Sequence, residues 1–186
     1  TGPVLLLANH QSVLDPVLVG VASSRYLSYL GRASLFTNRF FGGLIRSLDG
    51  IPIDHRGFSR EGLHVTLQKL QQGKAVLMFP EGERTRTGEL GEFKPGVSLL
   101  IKRSGALILP VGIMGPFSVW PKGQKFPHFT SLFAPPNDAT LAVSLGKPIN
   151  PQKYADMSRE EMLTDLRAAV QREMVVAEKL RRKERA

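Results

Sequence analysis

The chain has 186 residues and not one cysteine. Disulfide bonds, zinc sites built on thiolates and a cysteine nucleophile are therefore excluded, while the redox compartment stays open. The chain also lacks an apolar run near the roughly 20 residues of a membrane-spanning helix, and no secretory signal is visible. Because no internal repeat, low-complexity tract or linker interrupts the sequence, we predict a single domain over residues 1–186.

The chain also has fewer acidic than basic residues. Against 16 acidic residues it has 25 lysines and arginines, which gives a formal net charge of +9. A charge this high indicates a polyanionic partner: nucleic acid, an anionic membrane surface or a phosphorylated small molecule. The basic residues are spread along the chain and no nucleic-acid-binding motif is present, so we expect no nucleic acid. A basic nucleic-acid-binding module stays the rival class, and salt-dependent binding to DNA or RNA would distinguish it from liposome binding.

Short apolar runs alternate with helical patterns along most of the chain. Strands are predicted at residues 4–8, 26–30, 51–53, 75–79, 107–113 and 140–145, and helices at residues 16–24, 34–48, 59–73, 95–104 and 158–186. Pro52 argues either that the third strand lies at an edge or that Pro52 stands at a strand start. The last helix is amphipathic and basic, and it opens with a capping box, Ser158 and Glu161. This alternation favours an α/β fold with a mixed, mainly parallel sheet flanked by helices.

The first candidate site lies in the turn between the first predicted strand and the helix that follows it. His10 follows the apolar run, and Asp15 precedes Pro16, which suits the first position of a helix with Asp15 as its N-cap. From the connecting turn, the imidazole can fold back onto the carboxylate. Such a pair is the basic unit of general-base catalysis, because the carboxylate fixes the tautomer and stabilises the imidazolium. The alternative is a turn histidine whose partner only caps a helix.

A second constellation follows the buried strand at residues 75–79. In an α/β sheet, ligands bind beyond the carboxyl ends of the strands, so Glu81 and Arg84 share an edge with His10 if their strands are neighbours. Gly82 lets the backbone approach a ligand closely, and Lys94 stands just before a helix N-terminus, where anions bind. The guanidinium of Arg84 matches phosphate oxygens. Its alternative role is a surface salt bridge with a neighbouring glutamate.

The segment at residues 115–136 combines prolines and lysines with five aromatic residues: Phe117, Trp120, Phe126, Phe129 and Phe133. Aromatics beside lysines suit a membrane interface. The alternative is a long loop whose aromatic rings pack on the edge of the domain. Residues 181–185 at the end of the last helix are either a solvated basic terminus or a further contact for an anionic surface.

Four blocks resemble, in order, the conserved blocks of the 1-acylglycerol-3-phosphate acyltransferase family, the glycerolipid acyltransferases with a His-x4-Asp motif. They lie at residues 9–15, 48–54, 79–84 and 109–113, and the resemblance spans about residues 4–148. It implies a glycerol-3-phosphate acyltransferase-like fold. Two positions depart from the family pattern. His55 stands where the family usually has arginine, with Arg56 as the substitute, and Glu83 replaces a small hydroxyl residue. A carboxylate there disfavours a phosphate unless it points away or pairs with Arg86.

The resemblance implies an O-acyltransferase that moves a fatty acyl group from acyl-CoA or acyl-carrier protein to the hydroxyl of 1-acylglycerol-3-phosphate. The product would be phosphatidic acid for phospholipid biosynthesis; glycerol-3-phosphate or another lysolipid is the alternative acceptor. His10 would be the general base and Asp15 its partner. The expected substrate-binding residues are Arg56, Glu81, Gly82, Arg84 and Lys94. Oxyanion donors are expected among the backbone N–H groups around His10 and Gly82.

No cofactor and no metal are expected, since His55, His64 and His128 lack ligand spacing. An acceptor with a long acyl chain lives in a bilayer, so we expect membrane association on the cytoplasmic side. The attachment would be peripheral, through an anionic surface, or through a segment preceding Thr1, which is not a methionine.

Overall fold

The computed structural model describes residues 2–37, 39–47, 49–53, 60–128 and 136–183. The strands are β1 (Val4–Ala8), β2 (Leu27–Arg32), β3 (Gly50–Ile53), β4 (Ala75–Met78), β5 (Leu107–Met114) and β6 (Ala142–Leu145). The α-helices are α1 (Asp15–Ala22), α2 (Arg39–Ser47), α3 (Arg60–Gln71), α4 (Gly96–Ser104), α5 (Pro116–Val119) and α6 (Arg159–Arg181). Short 3-10 turns cover Ala33–Phe36 and Pro151–Tyr154.

All six strands belong to one sheet in the order β3-β2-β4-β1-β5-β6. The first five run parallel, and only β6 is antiparallel, to β5. The α/β prediction is therefore confirmed, as is the edge position of the strand that contains Pro52. Strand β1 lies centrally, with Leu6 paired to Leu77 on one side and to Leu109 on the other. Its near-continuous burial is typical of a parallel strand that is covered on both faces.

The core lies on both faces of this sheet because successive side chains of a strand point to opposite sides. Leu5 and Leu7 pack in a cluster shared with α4 and α6. Leu6 and Ala8 point the other way, where Val19 of α1 packs against them. Burying one leucine side chain completely stabilises a fold by about 1.5–3 kcal/mol. These clusters hold β1 firmly, and with it the turn that follows its carboxyl end.

Two local predictions were wrong. Helix α1 begins at Asp15 itself, and its N-cap, Leu14, makes no side-chain capping bond. The Asp15 carboxylate instead turns back to the preceding residues, as described below. The single helix predicted at residues 34–48 is a 3-10 turn followed by α2.

Helix α6 follows its sequence pattern closely. The capping box of Ser158 and Glu161 is formed in both directions, which confirms the prediction. The predicted apolar face is buried throughout: Met162, Leu166, Ala169, Val170 and Ala177. At the basic end Arg181 is buried and donates to the Asn137 carbonyl oxygen at 3.0 Å. In the described ranges, no helix is both long and apolar enough to cross a bilayer.

Candidate active site

The site begins with the pairing of β1 and β4, which are parallel neighbours in the sheet. The residues that follow their carboxyl ends therefore meet at one edge. The His10 ring stacks on Phe79 with 3.9 Å between the ring centroids and 13° between the planes. The sequence predicted a shared edge only if the strands before His10 and Glu81 are neighbours, and β1 and β4 are neighbours. His10 and Glu81 lie side by side.

The imidazole of His10 is bound to Asp15 from its Nδ1 atom, 2.8 Å from Oδ2. The same carboxylate oxygen accepts the backbone N–H groups of Gln11 at 2.6 Å and Ser12 at 2.7 Å. The Asp15 side chain is fully buried, and that of His10 is 19% exposed. A neutral imidazole that donates from Nδ1 carries its lone pair on Nε2. Among the described residues Nε2 has no hydrogen-bond partner, so it can accept a proton from a bound hydroxyl.

Two further polar side chains hold this turn in place. The Asn9 amide donates to the Ile113 carbonyl at 2.8 Å and accepts the Ile113 N–H at 2.7 Å, so it continues the backbone pairing with β5. The Ser12 hydroxyl donates to the Trp120 carbonyl at 2.8 Å. Sequence reasoning missed the role of Asn9. The available signal was an amide side chain directly after a buried strand and directly before the histidine.

Glu81 ties the His10 turn to the loop that follows β4. Its Oε1 accepts the backbone N–H of His10 at 2.8 Å, and its Oε2 accepts that of Gly91 at 2.7 Å. The residue is 6% exposed, and burial raises the pKa of its carboxyl although both N–H groups act in the opposite direction. Because each oxygen already holds a backbone group, Glu81 fixes two segments relative to each other. Its contact with a substrate stays a prediction.

Four of the backbone N–H groups around His10 and Gly82, where oxyanion donors are expected, already have acceptors. The N–H groups of His10, Gln11 and Ser12 are bound to Glu81 or Asp15, and that of Gly82 donates to the Phe79 carbonyl at 3.0 Å. These four are therefore not open to a developing oxyanion. Oxyanion donors elsewhere in the two turns stay a prediction.

Beside the His10 turn, the loop between β4 and α4 encloses a cleft of about 320 Å³. It is lined by Glu81, Glu83, Arg84, Thr85, Arg86, Thr87, Glu89, Leu90, Gly91, Glu92 and Lys94. Three of the predicted substrate-binding residues are thus brought together, whereas Gly82 lies outside this lining. Arg56 and His55 lie outside the described residues, as do Phe129 and Phe133 of the aromatic segment.

The carboxylate of Glu83, which departs from the family pattern, is turned to a different partner from the one anticipated. Its Oε2 lies 2.6 Å from the Nζ atom of Lys122, which lies in the segment after α5. The hydrogen bond and charge of Lys122 lower the pKa of Glu83, with a smaller contribution from Arg86. Lys122 therefore offsets the negative charge that would repel a phosphate near Arg84 and Lys94.

The described residues contain no group of three or more histidine, aspartate or glutamate side chains placed to hold a metal ion. The expectation of a metal-free reaction stays a prediction.

Fold and site together define an α/β protein in which a histidine is paired with a fully buried aspartate at the carboxyl edge of parallel strands. The family model described as Acyltransferase matches residues 1–114, more than half of the chain. The chain belongs to the acyltransferase family.

Curated relatives support the same grouping, and a solved structure shows the same fold. The chain is 26% identical over 175 residues to a probable 1-acyl-sn-glycerol-3-phosphate acyltransferase of Mycoplasma genitalium, covering 90% of this chain and 64% of that relative. It is 30% identical over 117 residues to the 1-acyl-sn-glycerol-3-phosphate acyltransferase of Streptococcus pneumoniae, covering 62% and 43%. The chain thus spans less than two thirds of the length of these relatives. The crystal structure of the 1-acyl-sn-glycerophosphate (LPA) acyltransferase PlsC from Thermotoga maritima has the same fold, with a TM-score of 0.75, 24% identity and coverage of 100% and 68%.

Proposed function

We propose that this chain transfers a fatty acyl group from an acyl thioester, acyl-CoA or acyl-carrier protein, to the free hydroxyl of 1-acylglycerol-3-phosphate. The product is phosphatidic acid, for phospholipid biosynthesis. The observation that carries the proposal is the 2.8 Å contact between His10 Nδ1 and a fully buried Asp15 carboxylate. The names of the relatives from Mycoplasma genitalium and Streptococcus pneumoniae support this acceptor.

In the proposed reaction His10 is the general base. Its Nε2 takes the hydroxyl proton while the acceptor oxygen bonds to the thioester carbonyl carbon, which contributes about 10²–10⁴-fold in rate. Asp15 keeps the proton on Nδ1 and stabilises the imidazolium that forms. When the carbon–sulfur bond breaks, the proton on Nε2 returns to the leaving thiolate. Atoms and charges balance without a cofactor.

The cleft beside His10 supplies the binding site for the acceptor in this proposal. Arg84, with its guanidinium fork, binds the acceptor phosphate, assisted by Lys94 and by Arg56. The Lys122–Glu83 ion pair supports this assignment, because it compensates the charge of a carboxylate that lines the same cleft. The alternative acceptors are glycerol-3-phosphate, which presents the same phosphate monoester, and another lysolipid; a panel of acceptors in a thiol-release assay distinguishes them.

The test of the general base is His10→Ala, with the exposed histidine variant His64→Ala as its matched control. We expect His10→Ala to lower turnover by about 10²–10⁴-fold while the melting temperature stays near that of the parent, since the residue lies in a turn. The control should keep parental turnover. Retention of more than about a tenth of the turnover in His10→Ala would contradict a general base of this strength.

We also propose peripheral association with an anionic membrane on the cytoplasmic side. The net charge of +9 supports it, at about 1 kcal/mol for each basic residue near the surface. Phe126 is 79% exposed and follows the exposed Lys125, a combination suited to the interface. Trp120 is half-buried in the same loop and donates to the Gln124 carbonyl at 3.0 Å, so its fluorescence reports on this loop.

The measurement is sedimentation with vesicles that contain anionic lipid, at low and high salt, together with the Trp120 emission spectrum. Binding should weaken in high salt, and the emission should shift to the blue on binding. Phe126→Ser should reduce both effects. A Trp120 spectrum that does not change with bound vesicles would exclude this loop as the contact.

A further inference from the structure

Arg167 lies on α6, outside residues 1–114 and outside the four blocks that resemble the family. Its Nη2 donates to the Leu90 carbonyl at 2.7 Å and its Nε to the Gly91 carbonyl at 3.2 Å. The two adjacent carbonyls belong to the loop between β4 and α4. A planar guanidinium is suited to such a double contact, and little side-chain freedom is lost for each hydrogen bond. The nearest ion pair of Arg167 is weak, at 3.7 Å from a highly exposed Glu92 carboxylate.

Helix α6 gives Arg167 a firm base. Its neighbours Leu166 and Val170 are buried in the larger core cluster. The capping box fixes the start of the helix. The loop that Arg167 contacts has no helix or strand of its own between β4 and α4. The side chains of Leu90 and Phe93 in this loop are buried in the same cluster, and Arg167 adds the contacts that hold the carbonyls at residues 90 and 91.

From Gly91 the contacts lead directly to His10. The N–H of Gly91 donates to one oxygen of Glu81, and the other oxygen of Glu81 accepts the N–H of His10. The approach at Gly91 is close, because a Cβ atom there would lie 2.9 Å from Glu81 Oε2. The positive charge of Arg167 also favours the ionised form of Glu81, against the burial that raises the pKa of its carboxyl.

We propose that Arg167 is a positioning residue for acyl transfer: it holds the 90–91 carbonyls so that Gly91 and Glu81 fix the backbone of His10. The inference rests on the proposed role of His10 as general base. Without Arg167, the Gly91 N–H leaves Glu81, and a buried carboxylate then keeps only one of its two donors. The His10 backbone loses its fixed acceptor and the ring loses its alignment with the bound hydroxyl. Small misplacements of a reacting group carry large costs in rate, up to about 10²-fold for 1 Å.

The kinetic experiment compares Arg167→Ala and Arg167→Lys with Arg172→Ala, which removes an exposed arginine from the same helix. We expect Arg167→Ala to lower kcat about tenfold or more while the donor KM changes little. Arg167 itself does not line the cleft, but Leu90 and Gly91 do, so any rise in the acceptor KM should be smaller than the fall in kcat. Arg167→Lys should recover part of the loss because an ammonium group can bind one carbonyl. Arg172→Ala should keep the parental kcat.

Two kinetic outcomes would overturn the inference. The first is an unchanged kcat in Arg167→Ala. The second is a raised acceptor KM at unchanged kcat, which would limit the effect of Arg167 to the shape of the cleft and leave His10 unaffected. If Arg167→Ala does not fold, Arg167→Lys decides alone: a kcat equal to that of the parent overturns the proposal, and a reduced kcat at parental donor KM supports it.

A spectroscopic readout separates this inference from the proposed function. The backbone amide resonances of His10 and Gly91 should both shift in Arg167→Ala, or in Arg167→Lys, and stay in place in Arg172→Ala. Activity in His10→Ala would defeat the general-base proposal, yet the two amide resonances would still test the contacts from Arg167. Unmoved amides together with an inactive His10→Ala variant would overturn the role of Arg167 alone.

Discussion

Two aspartates at opposite edges of the sheet hold their partners in different ways. Asp15, at the carboxyl edge, is fully buried and binds two backbone N–H groups and an imidazole. Asp49 precedes β3 at the amino edge and is 38% exposed. It binds the Ser28 hydroxyl and two lysines, with distances of 3.0 Å to Lys69 Nζ and 3.2 Å to Lys74 Nζ.

The two sets of contacts differ in the conformational entropy that their donors lose. The backbone donors to Asp15 are already fixed by the strand and the turn, so they lose no side-chain entropy when they bind the carboxylate. Lysine side chains lose rotamer freedom when they bind, and exposed ion pairs contribute only about 0–1 kcal/mol. Burial works against ionisation of Asp49, yet the hydrogen bonds of Ser28, Lys69 and Lys74 hold its pKa below the ordinary value. The contacts of Asp15 therefore suit its proposed role of orienting His10, and Asp49 adds modestly to stability.

The largest effect is expected from Asp15→Asn, which breaks the carboxyl-edge arrangement. Asp15 Oδ1 has no partner among the described residues, so an amide NH2 can take its place while the other oxygen keeps its contacts. The negative charge that stabilises the imidazolium is lost. We expect turnover to fall by at least about 100-fold with a smaller change in melting temperature. Turnover within threefold of the parent would remove Asp15 from the mechanism.

At the same edge, Arg84→Ala tests the cleft rather than the His–Asp pair. Because the guanidinium is proposed to bind the acceptor phosphate, the acceptor KM should rise about tenfold or more at an unchanged donor KM. Arg103→Ala, at an exposed arginine on α4, is the matched control. Equal effects on both substrates would assign Arg84 to the donor or to the loop.

A third carboxylate, Asp165, lies between the two extremes. It accepts the Tyr154 hydroxyl at 2.6 Å and the Lys153 ammonium at 2.6 Å. Burial, and then the bond to Asp165, raise the pKa of the fully buried Tyr154 above its ordinary value of 10.0. Below pH 10 the hydroxyl is protonated in both the folded and the unfolded chain, and its stabilisation is complete. As the pH rises further, the unfolded chain ionises first and that stabilisation is lost.

Tyr154→Phe should therefore lower the free energy of unfolding by about 1 kcal/mol at neutral pH and flatten its decline above pH 10. Denaturant unfolding at pH 7 and at alkaline pH measures both effects. A parallel decline in parent and variant would show that other groups cause the alkaline loss.

The smallest effect is expected at the amino edge. Lys69→Met keeps the apolar stem and removes the ammonium group that binds Asp49, while Lys74 remains. We expect a loss of less than about 1 kcal/mol that disappears in high salt, with unchanged turnover. A fall in turnover like that of Asp15→Asn would erase the distinction between the two edges.

Much of the site could be predicted because its signals are local. The apolar run of β1, the histidine after it and the aspartate before Pro16 are within one short stretch, and the His10–Asp15 contact forms inside it. The buried face of α6 follows from helical spacing alone. The errors were local competitions for hydrogen bonds. The sequence predicted Asp15 as the N-cap of a helix, but its carboxylate accepts hydrogen bonds from three donors in the preceding turn.

The other contacts that the sequence did not reveal join distant segments. Glu81 lies 71 residues from His10, and Arg167 lies 77 residues from Leu90. Nothing in the periodicity of either segment specifies which carbonyl or amide will be opposite a given side chain. For the same reason the N–H of His10 could not be recognised as occupied, whereas those of Gln11, Ser12 and Gly82 are bound within their own turns.

By itself, the amino-acid sequence determined the alternation of strands and helices, the excess of positive charge and the pairing of His10 with Asp15, because each depends on neighbours along the chain. The tertiary structure decided that β1 lies between β4 and β5, and therefore that His10 meets Phe79 and Glu81 at one edge. Strand order depends on which apolar faces are buried together, and that is a property of the whole core. Where each buried carboxylate finds its donors follows from that order.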